Sequence, residues 1–113
     1  MIQVYHNPRC GKSRSCLAFL EETGAAFEII QYLHDVPTFE MLQSVIKKLG
    51  LTPIGLIRQN EKIWIENYKG KTLSDAEIIN AMVEHPILIE RPIVINGDKA
   101  VIARPTHKVS EVL

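Results

Sequence analysis

The sequence predicts a mixed α/β domain in which a parallel β-α-β unit leads, helices fill the middle, and a β-hairpin closes the sheet. Three patterns point to it. Apolar strand-like runs at residues 2–5 and 27–32 flank a segment with helical periodicity, residues 42–49 repeat at 3.6-residue spacing, and Asn96-Gly97 separates two apolar triplets. With 113 residues, 46% hydrophobic and 23% charged, the chain has the size and composition of one globular domain, residues 1–113, built on one core.

Ile2, Val4 and Tyr5 are β-formers, and Asn7-Pro8 breaks the strand they make, placed at residues 3–5. From Gly11 onward, Ser13, Cys16, Leu17 and Leu20 share one helical face, and Gly24 supplies the C′ position that ends the helix. The second strand, residues 27–32, contains Ile29-Ile30 and reads as too apolar for an exposed sheet, so both of its faces are expected to be covered. Strand, helix and strand in this order form a right-handed crossover. A turn at residues 34–37 precedes an amphipathic helix carrying Leu42, Val45, Ile46 and Leu49 and stopped by Gly50. Thr52-Pro53 opens a short helix towards Arg58, with proline at its first position. Residues 59–72 are polar, include Trp64 and Tyr68, and show no clear period. Ser74 and Glu77 form a capping box for a helix with Ile78, Ile79 and Met82 that halts at His85-Pro86. Residues 93–95 and 100–102 then pair as a hairpin around Asn96-Gly97-Asp98, Arg104-Pro105 ends it, and a brief helix follows from Thr106.

The chemistry concentrates at Cys10. It stands where Asn7-Pro8 gives way to a helix, so unpaired backbone N–H groups and the positive end of the helix dipole face it. Arg9, Lys12 and Arg14 add positive charge, and no acidic residue precedes Glu21. Such a setting lowers a thiol pKa to roughly 3.5–7.5 and makes the nucleophilic thiolate abundant at neutral pH. A buried, inert cysteine is the alternative, and it describes Cys16 better, since that residue lies on the apolar stripe. Six helical residues turn roughly 600° and rise about 9 Å, beyond the Cα separation of about 7 Å that a disulfide tolerates. Cys16 is therefore not expected to resolve an intermediate on Cys10.

Balanced charges, 13 Lys and Arg against 13 Asp and Glu, point away from duplex DNA or an anionic membrane as a bulk partner. No run approaches the ~18 apolar residues of a membrane span, and the chain begins directly in a strand without a signal-peptide pattern. A cytoplasmic protein with reduced thiols is expected. His34, His85 and His107 lack metal-ligand spacing with one another or with the cysteines, so no metal is expected. Gly11-Lys12-Ser13 ends like a phosphate-binding P-loop, but His6 stands where its first glycine belongs. A Cys-x5-Arg phosphatase loop would need arginine at position 16 and meets Cys16.

The element order is thioredoxin-like, a thioredoxin/glutaredoxin-like mixed sheet with a central helical insertion. Within it, His6-Asn7-Pro8-x-Cys10-Gly11-x-Ser13-Arg14, Leu56-x-Arg58-x-Asn60, the run from His85-Pro86 to Arg91-Pro92-Ile93-Val94, and Arg104-Pro105 together resemble the glutaredoxin-coupled arsenate reductase family over nearly the whole chain. That resemblance implies that Cys10 attacks arsenate to form a thiol-arsenate adduct, with Arg58, Arg91 and Arg104 holding the oxyanion. Glutathione is then the co-substrate and glutaredoxin the protein partner of a monomeric enzyme with no bound cofactor. Guanidinium groups suit this role because their paired donors match a tetrahedral oxyanion and their charge is permanent. A proline after Arg91 and after Arg104 restricts both backbones to extended conformations. The resemblance also implies a cis peptide before Pro92, next to the thiol, and supporting roles for Asn7, Gly11, Ser13 and Arg14. His6 either hydrogen-bonds and acidifies Cys10 or is satisfied by backbone. A regulatory or adaptor protein of the Spx kind shares the fold, but such proteins typically carry Cys-x-x-Cys, where this chain has Cys10-x-x-Ser13. A relative acting on another oxyanion or a disulfide is the remaining reading.

Overall fold

The computed structural model describes residues 1–113, which cluster into two compact units, Met1–Asp35 with Arg91–Leu113, and Val36–Glu90. The first unit holds a four-stranded sheet in the order β2-β1-β3-β4, built from β1 (Ile2–Tyr5), β2 (Phe27–Ile30), β3 (Ile93–Asn96) and β4 (Lys99–Ile102). β1 runs parallel to β2, with Val4 opposite Ile29, and antiparallel to β3, with Val4 opposite Val94. The sheet is mixed, as the thioredoxin-like order requires. Helix α1 (Gly11–Thr23) makes the crossover between β1 and β2 and ends at Gly24, whose φ of 74° only glycine adopts without strain.

The central strands β1 and β3 are buried on both faces, and alternation sorts their side chains between the two. Ile2 and Val4 of β1 and Val94 of β3 pack with Cys16 and Leu20 of α1, and Val109 and Val112 of a C-terminal 3-10 helix (Thr106–Glu111) complete that core. The hairpin turn is tighter than expected: Asn96 still pairs with Lys99, leaving the two-residue loop Gly97-Asp98 with positive φ at Gly97. The expectation that β2 is covered on both faces does not hold. Glu28 and Ile29 are exposed, Ile29 at 48%, because β2 is the outermost strand and pairs with a neighbour on one side only. It also stops at Ile30, short of the expected residue 32, and Tyr32 turns inward to stack on Tyr5 with ring centroids 6.3 Å apart.

The second unit is helical. Helix α2 (Phe39–Leu49) is capped by the Thr38 hydroxyl and stopped by Gly50, and α4 (Asp75–Glu84) opens with the Ser74–Glu77 capping box in both directions. The Thr52-Pro53 start gives one 3-10 turn (Pro53–Leu56), after which Ile57 bridges Ile89. Residues 62–67 form α3 (Lys62–Asn67), where the sequence showed no period. Trp64 is buried there and stacks on Tyr68 at 5.3 Å.

Candidate active site around Cys10

The loop before α1 is fixed by its own short-range bonds. Cys10 N donates to the Asn7 carbonyl at 3.0 Å, Arg9 N to Asn7 Oδ1 at 3.0 Å, and Asn7 N to Ser13 Oγ at 3.4 Å. Arg14 closes the loop from outside, its Nη1 donating to the Pro8 carbonyl at 3.0 Å. Cys10 occupies the N-cap with extended backbone, and its side chain caps nothing. Its sulfur is thus left for other donors.

Burial pushes the Cys10 thiol up, and hydrogen bonds from the Ser13 N–H, the Arg91 side chain, the Lys12 N–H and the Ser13 hydroxyl together pull it down to about 7. Arg104 Nη2 lies 3.5 Å from Sγ, and Arg104 Nε donates to the Arg91 carbonyl at 2.6 Å. One guanidinium therefore touches both the thiol and the backbone of the other arginine. Arg91-Pro92 is cis, as the resemblance implied, and Arg104-Pro105 is cis as well. The Pro92 carbonyl accepts from Ala103 N at 3.0 Å, which ties the two Arg-Pro segments side by side.

The sequence-adjacent charges act differently from expectation. Arg9 and Arg14 are not among the groups that lower the Cys10 pKa, and Lys12 contributes through its backbone N–H rather than its ammonium. His6 does not bond to the thiol either. Its backbone N–H goes to the Ile30 carbonyl, and its buried Nδ1 has no hydrogen-bond partner. Its pKa is lowered by burial and then by the charge of Arg14. A neutral imidazole under the loop gives no positive charge to the sulfur. Gly11 is not reserved for glycine by space, since an added Cβ would sit 3.6 Å from Arg14 Nη2, an ordinary contact.

Arg58 belongs to the helical unit. There its Nη1 pairs with Glu90 at 2.8 Å and its Nε with Glu61 at 3.4 Å, while its backbone N–H bonds to the Leu88 carbonyl. The sequence did not signal these carboxylates, because Glu90 reaches Arg58 from 32 residues away. Cys16 is fully buried in the core of the first unit, and burial raises its thiol to about 11. The two cysteines are thus chemically opposite, one acidified and partly exposed, the other protonated and sealed.

The sequence profile of the ArsC family matches residues 5–112, a span that contains every residue of this site. The chain belongs to the ArsC family. Among its relatives, an arsenate reductase from Haemophilus influenzae is 46% identical over 112 residues, covering 97% of each chain. One from Neisseria meningitidis serogroup A is 38% identical over 114 residues, covering 99% of this chain and 97% of the relative. The solved arsenate reductase from Vibrio cholerae superposes with a TM-score of 0.95 at 42% identity, over 99% of this chain and 97% of that one. As an ArsC-family fold, the chain has no helix long and apolar enough to cross a membrane.

Proposed function

We propose that this protein reduces arsenate to arsenite through a covalent adduct on Cys10, drawing its electrons from glutathione and glutaredoxin. One observation supports this above the rest: a thiol brought to about 7 stands against two arginines. At neutral pH roughly half of Cys10 is thiolate, the form that attacks, while the adjoining guanidinium groups offer paired donors to a tetrahedral oxyanion.

The chemistry is written as two displacements. The Cys10 thiolate forms an S–As bond and one arsenate oxygen leaves as water, taking up protons from solvent. The thiol of glutathione then attacks the Cys10 sulfur, an S–S bond forms, and the electron pair of the S–As bond stays on arsenic, which leaves as arsenite. A further thiol, delivered by glutaredoxin, reduces the mixed disulfide and restores Cys10. In this reading Arg91 and Arg104 hold the oxyanion, and Arg58 joins them by the family resemblance. Asn7, Gly11, Ser13, Arg14 and Pro92 keep the loop and the strand entrance in place, with His6 packed neutral beneath. We place the enzyme in the cytoplasm, as a monomer, where reduced glutathione is available.

The test is arsenite formation from arsenate with glutathione and glutaredoxin supplied, alongside Cys10→Ser. Arsenite release that Cys10→Ser abolishes agrees with the proposal. Release that survives in Cys10→Ser, or none from the wild-type protein with any thiol donor, refutes it.

A further inference from the structure

A cleft of about 270 Å³ opens next to the Cys10 loop, at the carboxyl ends of the parallel strands β1 and β2. Open α/β sheets bind ligands at this end, because the loops leaving adjacent parallel strands diverge there. His6, Asn7 and Arg9 line it from the loop after β1, and Gln31, Leu33 and His34 from the segment after β2. No carboxylate lines it. Its side chains also keep donors unspent. The Arg9 guanidinium forms no ion pair, Asn7 uses Oδ1 on the Arg9 N–H and leaves its amide N–H2 without a protein acceptor, and buried His6 keeps Nδ1 unpartnered. A donor-rich, acid-free cleft with one permanent cation selects an anion. Its volume is below the ~300–1,000 Å³ of a site that encloses a whole ligand. It therefore matches the end of a molecule whose remainder extends outward.

We propose that this cleft seats a carboxylate terminus of the small thiol peptide that reduces the Cys10 adduct. The inference rests on the proposed reaction for the peptide's role, while the charge and shape of the cleft stand independently of it. Arg9, adjacent to Cys10 in the chain, is the principal anchor, and His34 and Gln31 form the opposite wall. Consecutive Cα atoms such as those of Arg9 and Cys10 are about 3.8 Å apart, and an extended tripeptide spans at most about 10 Å, so a terminus anchored at residue 9 keeps the peptide's thiol within reach of residue 10.

The probe is S-methylglutathione, which cannot react, titrated into the whole protein and followed by backbone amide shifts. Shifts are expected at residues 6–9 and 31–34. Arg9→Ala should weaken binding at least fivefold and His34→Ala at least twofold, and the diethyl ester of the probe should not bind. In turnover, Arg9→Ala should raise KM for glutathione while leaving KM for uncharged 2-mercaptoethanol unchanged, a split that a general loss of loop structure would not give. Shifts elsewhere, equal binding of the ester, or affinity unaffected by Arg9→Ala would overturn the proposal. So would inorganic phosphate moving the same amides where S-methylglutathione does not. Because the titration contains no arsenic, its failure leaves the arsenate assay standing, and failure of that assay leaves the titration to be judged by itself.

Discussion

Burial and hydrogen bonding pull the Cys10 sulfur in opposite directions, and four donors outweigh the desolvation. Alkylation by iodoacetamide across pH should therefore show a midpoint near 7, rather than the ~8.5 of an ordinary thiol. Arg91→Ala removes one of the donors and should move that midpoint upward. Arg91→Lys keeps the charge but loses the fork, and a hydrogen bond to a charged partner is worth about 1.5–3 kcal/mol. Arsenate kcat/KM should then fall on the order of tenfold or more, read from initial rates of arsenite release. Cys16 is the counterpart: Cys16→Ala should keep turnover with glutathione and glutaredoxin, and no Cys10–Cys16 disulfide should appear by mass spectrometry after a single turnover. At this scale the loop-to-helix setting of Cys10 was a local pattern, and the family resemblance named Arg91 and Arg104, which the structure brings to its sulfur. The sequence did not show that hydrogen-bond donors, the Ser13 and Lys12 N–H groups, the Ser13 hydroxyl and the Arg91 side chain, acidify the thiol, because which donors reach the sulfur is set only in three dimensions.

Helix ends were legible for the same local reason. The Ser74–Glu77 capping box satisfies two backbone groups reciprocally. Ser74→Ala should cost about 1 kcal/mol in urea unfolding while leaving the Cys10 alkylation midpoint unchanged. Helix α3 was illegible because six residues cannot hold a helix by propensity. The Trp64–Tyr68 stack supplies what the period does not. β2 was misjudged for a related reason, since an apolar run reports composition and says nothing of whether a strand ends up central or outermost.

For the molecule as a whole, the two thiols give stability opposite dependences on pH. Cys10 has a folded pKa below its unfolded value, so its contribution is complete above about 8.5 and is lost as pH falls through about 7. Cys16 has a folded pKa above its unfolded value, so its contribution is complete below about 8.5 and is lost as pH rises towards about 11. Urea unfolding under reducing conditions should show the wild-type advantage over Cys10→Ser growing from pH 6 to 8.5. The corresponding difference from Cys16→Ala should shrink above that range. Leu20, fully buried beside Cys16 in the sheet unit, should cost about 2–5 kcal/mol when replaced by alanine.

Arg104 touches a sulfur that lies 94 residues earlier in the chain. A ribosome adding about 5–20 residues per second needs roughly 5–20 s to travel that distance. For most of that interval the emerging polypeptide also lacks Arg91, one of the four donors that acidify Cys10. The thiol reaches its full acidity only once Arg91 has been added and docks beside the local Lys12 and Ser13 donors. Chains ended before residue 91 should therefore alkylate more slowly at neutral pH than full-length ones, a difference that labelling of truncated and complete polypeptides reads directly.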